Sequence, residues 1–179
     1  LYQVIFKKLA VAIGFGILLV VNPTATGENS NLLDKSSKKE IDVSKISIGG
    51  IKLGMKEKEI IKKLGRPKSR TTKYDDVCYS SYITTWKYNE LEIEGLSTSN
   101  NVSQSEVHLI KTSSSHHPTD KGIKVGDRIG KAQKTYSAFL SRNDTKNYLA
   151  YPNDAFGGLV FSISKQGVIR EIQLLGASC

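Results

Sequence analysis

The chain has 179 residues, 39% of them hydrophobic and 24% charged, with 26 basic against 17 acidic residues for a net charge of +9. This is the composition of an ordinary globular protein and excludes a chain too polar to form a core. The basic excess is local: residues 35–73 hold 13 basic and 4 acidic residues, and the remainder of residues 28–179 sums to −2.

From the start, Lys7 and Lys8 precede an apolar run of 13 residues from Leu9 to Val21, followed by Asn22-Pro23 and small residues up to Gly27. The run falls short of the roughly 20 residues a spanning helix needs. A basic start, an apolar stretch of this length and small residues at Ala25 and Gly27 predict a signal peptide over residues 1–27 and an exported protein, periplasmic or secreted. An uncleaved N-terminal membrane anchor is the alternative. Residues 28–44, rich in Ser, Asn and Lys, read as a flexible basic leader.

The organising stretch is residues 50–67. Gly50-Ile51-Lys52-Leu53-Gly54 leads into a short amphipathic helix in which Ile60, Ile61 and Leu64 share a face. Gly65 tolerates the positive φ of a helix end, and Pro67 forbids continuation. Lys56, Lys58, Lys62 and Lys63 leave the apolar face free, so they are either a solvated helix face or a cationic surface for an anionic envelope surface or an acidic partner.

Strands follow. Residues 82–88 alternate, with Tyr82, Thr84, Trp86 and Tyr88 on one face, and Leu91 and Ile93 alternate with Glu90, Glu92 and Glu94. Tyr82, Trp86 and Tyr88 either fill a core or form a partner-binding surface, since Tyr and Trp concentrate in interface hot spots. Val107 to Lys111 makes another strand, and a polar loop carries His116 and His117.

Gly122-Ile123-Lys124-Val125-Gly126 then repeats the earlier pentapeptide 72 positions on, again followed by a helical pattern, Ile129, Ala132 and Tyr136. Alternating segments around residues 148–151, 159–163 and 168–175 complete the chain. The pattern predicts an α+β protein of two related units, 45–115 and 116–179, each a helix followed by antiparallel strands, with the helices packed on one face of a sheet.

The stretch Gly50-Ile51-Lys52-Leu53-Gly54-Met55, the helix ending in Leu64-Gly65-Arg66-Pro67, and the strand with Trp86-Lys87-Tyr88 resemble the SmpA/OmlA (BamE-like) outer-membrane assembly lipoproteins. The tandem repeat is similar to the arrangement of the β-lactamase inhibitory protein fold. Resemblance is strongest over residues 46–68 and 120–137. It implies an exported binding module without catalysis that uses a sheet face for protein contact. No cysteine stands directly after the apolar run, where the family carries its lipid anchor.

The two cysteines, Cys78 and Cys179, form an even count in an exported chain and suggest one internal disulfide, worth about 4–5 kcal/mol by chain-entropy reasoning. An intermolecular bridge through Cys179, or two free thiols in a chain that is not exported, are the rival readings. No residue is assigned as catalytic, cofactor-binding or metal-binding: adjacent histidines do not share a helical face, and neither a nucleophile elbow nor a phosphate-binding glycine loop is present. Export argues against a nucleic-acid partner. The sequence therefore points to an exported, non-catalytic binding protein acting through a sheet face or a basic patch on a protein in the cell envelope or outside the cell. An envelope-associated assembly or stress factor of the SmpA/OmlA kind and an inhibitor of a secreted enzyme are the alternatives.

Overall fold

Beyond Pro67 the regular structure is mostly strand, and the strands join into a single sheet. A computed structural model describes residues 38–145, 147–153 and 157–176; the expected signal peptide and most of the leader lie outside them. Two short helices, α1 (Glu57–Leu64) and α2 (Ile129–Thr135), accompany eight strands. These are β1 (Ser69–Asp75), β2 (Ser81–Lys87), β3 (Leu91–Ser97), β4 (Glu106–Thr112), β5 (Arg142–Thr145), β6 (Tyr148–Pro152), β7 (Gly158–Ile163) and β8 (Ile169–Leu175). Their order in the sheet is β1-β2-β3-β4-β8-β7-β6-β5, with every neighbour antiparallel.

This corrects the expected α+β fold of two helix-then-strand units with helices packed on a sheet face. The pairing of β4 with β8, from Leu109↔Leu175 to Thr112↔Ile172, fuses the two meanders into one sheet. Left apart, each half would expose a central hydrophobic strand as an edge, a site of unpaired backbone groups. The helices are also too short to roof the sheet. Ile60 is the one buried residue of α1 and Ala132 the one buried residue of α2. Much of the covering layer is irregular chain carrying Ile41, Ile46, Ile48, Ile51 and Ile123.

The two pentapeptide copies are nevertheless built alike. Ile51 and Ile123 are both fully buried, and the glycines on either side of each take positive φ, 78° and 80° in the first copy and 73° and 92° in the second. Gly54 N–H donates to Val107 O (2.8 Å), and Val107 N–H returns to Met55 O (2.9 Å). In the second copy Gly126 N–H donates to Ile169 O (2.9 Å), and Ile169 N–H to Asp127 O (2.9 Å). Each copy thus clasps the beginning of a central strand, β4 or β8.

Alternation along the strands sends one set of side chains into the core: Trp86, Leu91, Ile93 and Ile110 in the first half, Leu149, Tyr151, Leu159, Phe161, Ile172 and Leu174 in the second. Tyr136, just past α2, packs its ring against Tyr151 and Phe161 at 5.3 and 6.0 Å and donates its hydroxyl to Thr119 Oγ1 (3.1 Å). Burial pushes both the Tyr136 and Tyr151 hydroxyls up to about 12, so they remain neutral donors.

Candidate functional site: the open sheet face and the basic edge

The same alternation places the opposite set of side chains on the other face of the sheet. Thr85, Glu92, Glu94, Leu96, Leu109, Lys111, Glu171, Gln173, Leu175, Val160, Ser162, Tyr148 and Ala150 all lie there, each half-buried rather than roofed by core. Opposite charges pair in a row across three strands. Glu92 on β3 is flanked by Lys87 of β2 and Lys111 of β4, each at 3.1 Å. Burial alone would raise the Glu92 carboxyl, but hydrogen bonds from Lys111 and Lys87 outweigh it and hold the group below its ordinary value. Those bonds correspondingly raise the Lys111 ammonium against the opposing effect of burial. Beside this row a shallow cleft of about 180 Å³ is lined by Lys87, Glu90, Glu92, Lys111 and Glu171.

One end of this face is folded over by the β1–β2 connection. The Asp75 carboxylate accepts Cys78 N–H (3.0 Å) and Tyr79 N–H (2.8 Å), closing the turn. The Tyr79 ring then meets the His108 ring edge-on at 5.1 Å. His108 is the extra residue of a bulge opposite Glu94 and Gly95, which turns it toward Glu94, with Nε2 and Oε2 3.7 Å apart. Among the described residues neither buried ring nitrogen of His108 finds a hydrogen-bond partner.

Cys78 is not a free thiol. Cys179, its expected partner, lies outside the described residues. Gly176 N–H donates to His108 O (2.9 Å), so the end of β8 reaches the residue that Tyr79 covers.

The predicted partner-binding residues are placed on different structures. Trp86 is fully buried, and its Nε1–H donates to Glu57 Oε1 (2.9 Å). The Tyr88 hydroxyl donates to Gly65 O (3.0 Å) and ties the end of β2 to the end of α1. Tyr82 is half-buried and packs edge-on against Tyr74 at 5.1 Å, which is itself 55% exposed. Trp86 and Tyr88 therefore hold α1 on the sheet, and only Tyr82 of the three lies beside an exposed aromatic. Lys56 faces Glu106 at 3.5 Å across solvent. Lys58, Lys62 and Lys63 are exposed on α1 and make no ion pair among the described residues.

No family model, curated protein or solved structure matches this chain.

The geometry of the site is thus its own best guide. Among the described residues no three His, Cys, Asp or Glu side chains stand close enough to hold a metal ion, and no helix is long and apolar enough to cross a membrane. His116 bonds locally to Ser114 through Nδ1 (3.1 Å), and His117 packs against Gly49. A larger cleft of about 380 Å³ lies between residues 39–46 and the end of α2, where Lys121 sits over the Tyr136 and Phe139 rings at 5.2 and 5.4 Å. There the chain's own cation already occupies the aromatic faces. The sequence missed the Glu57 junction, which joins Trp86 and Arg70, because three residues from three elements meet in it. It also missed the Lys87–Glu92–Lys111 row, whose only sequence signal was the placing of Glu92 on the solvated side of its strand.

Proposed function

We propose that the chain is an exported binding protein that engages a protein partner, in the cell envelope or outside the cell, through the open face of its sheet. The observation that carries this reading is the half-buried character of that face. Leu96, Leu109, Val160 and Leu175 alternate with the Lys87–Glu92–Lys111 row across the middle strands. Apolar side chains interleaved with paired charges, Lys87 and Lys111 on Glu92 with Glu171 as a second carboxylate near Lys111, can be desolvated by a partner at less cost than unpaired charges. Export is supported by the basic start and apolar run of residues 7–21.

The test is photo-crosslinking in the native host, with the reactive residue placed at Gln173 or Ser162 on the open face and at Gln133 on α2. The reading expects a discrete product from the first two positions only, reduced when Lys111→Glu breaks the charge row. Identical products from all three positions, or none from the open face, would refute it.

A further inference from the structure

We propose that the outer edge of β1 takes up an acidic, extended segment of a separate protein as an added strand. This surface is distinct from the open face, and the inference stands or falls without the reading above. β1 begins the strand order and, among the described residues, pairs only with β2. Among the described residues, therefore, no other strand pairs the N–H and C=O groups on the outer side of its seven-residue backbone. Natural sheets disarm such an edge by keeping it short, by bulges or proline, by covering it, or by charge. The opposite edge follows the first two routes: β5 has four residues and an irregular register.

β1 does not. It is as long as the central strands, has no proline and pairs in unbroken register from Ser69↔Lys87 to Asp75↔Ser81. Charge is the one device left, and charge discriminates by sign. Arg70 projects on the core side and Lys73 on the open side, with Lys68 just before the strand. α1, held beside β1 by Glu57, adds Lys58 and Lys62. The carboxylates that could neutralise this surface are occupied. Glu57 accepts from Arg70 and Trp86, and Glu59 accepts Lys56 N–H (3.0 Å). Lys58, Lys62, Arg66, Lys68 and Lys73 make no ion pair among the described residues. A second copy of the chain would bring like charges together along the seam. A strand with Asp or Glu along one face, turned either toward Lys73 or toward Lys68 and the lysines of α1, would be drawn in and would pair its backbone as it docked. Tyr74, 55% exposed on the same strand, offers its ring to a neighbouring side chain.

The experiment titrates the full chain with a fluorescent nine-residue peptide alternating Glu and Val. Comparison probes are a peptide of equal charge with Pro at alternate positions and vesicles containing phosphatidylglycerol. Hydrogen exchange is followed across residues 69–75. The proposal expects the Glu-Val peptide to bind and slow exchange in that segment, and the proline peptide to bind at least about tenfold more weakly. The Lys68→Glu/Lys73→Glu variant, checked for folding by Trp86 fluorescence, should lose about tenfold in affinity. Equal binding of the two peptides would show unspecific charge attraction and overturn the proposal. So would protection confined to residues 158–163, or tighter binding to the vesicles than to the peptide.

Discussion

Glu57 is where α1 and the sheet meet. Burial alone would raise its carboxyl, but hydrogen bonds from Arg70 and Trp86, with the charge of Arg70, hold it below its ordinary value. A carboxylate depressed in the fold contributes stability that is fully present above its unfolded value, about 4.3, and is lost as pH falls through the folded value. Glu57→Gln should therefore cost about 1 kcal/mol at pH 7, kept small because the Arg70 arm is half exposed. Urea unfolding should show the gap from the parent closing below about pH 4. Trp86 itself is a packing residue, so Trp86→Ala should cost about 3–5 kcal/mol. Its neighbour is a sharper probe. A Cβ on Gly95 would stand 2.8 Å from the Trp86 ring and 3.2 Å from Glu106 O, so Gly95→Ala should destabilise by about 1–3 kcal/mol although it adds only a methyl group. Unchanged urea midpoints for both variants would refute this account of the β2–β3 core.

At the scale of elements, the two helices solve the same problem differently. Both begin on a cationic residue that cannot accept a hydrogen bond from the free amides, Lys56 for α1 and Arg128 for α2. α1 recovers part of the loss when Glu59 accepts Lys56 N–H (3.0 Å), while α2 docks its first amide, Ile129 N–H, on Gly167 O (2.9 Å) in the β7–β8 turn. Asp127, just ahead of α2, accepts Lys124 N–H (3.0 Å) and pairs with Lys131 (2.8 Å). Lys56→Ser should accordingly stabilise the protein by about 0.5–1 kcal/mol, the exposed pair with Glu106 contributing little. Arg128→Ser should gain less, because tertiary structure already supplies an acceptor there. Thermal unfolding of the two variants side by side checks the ordering, and an equal gain would contradict it.

For the whole molecule, the β4–β8 ladder makes the halves one cooperative structure. Ile172 lies on β8 opposite Thr112 of β4 and Phe161 of β7, fully buried at the seam. Ile172→Ala should cost about 2–5 kcal/mol. The loss should appear equally in Trp86 fluorescence, which reports the first half, and in far-UV circular dichroism, which reports both. A Trp86 transition that keeps the parent midpoint while the circular dichroism shifts would mean that the halves unfold separately.

Local patterns settled a good deal in advance. Gly65 and Pro67 fixed the end of α1, and strict alternation sorted the side chains of β2, β3, β7 and β8 into two faces, because periodicity follows from backbone geometry alone; that the Trp86 face of β2 packs inward was decided by the tertiary structure. β1 and β5 escaped notice: Ser69–Asp75 and Arg142–Thr145 are polar, and an edge strand needs no hydrophobic alternation when one partner suffices to hold it. The paired pentapeptides were visible as sequence, but what they serve was not. Whether two similar halves stand apart or share a sheet depends on whether β4 finds β8, a contact between residues 60 to 66 positions apart. That long-range pairing, together with the irregular chain that covers the core in place of longer helices, was decided only by the tertiary structure, where burying both central strands at once removes the edges that each half would otherwise expose.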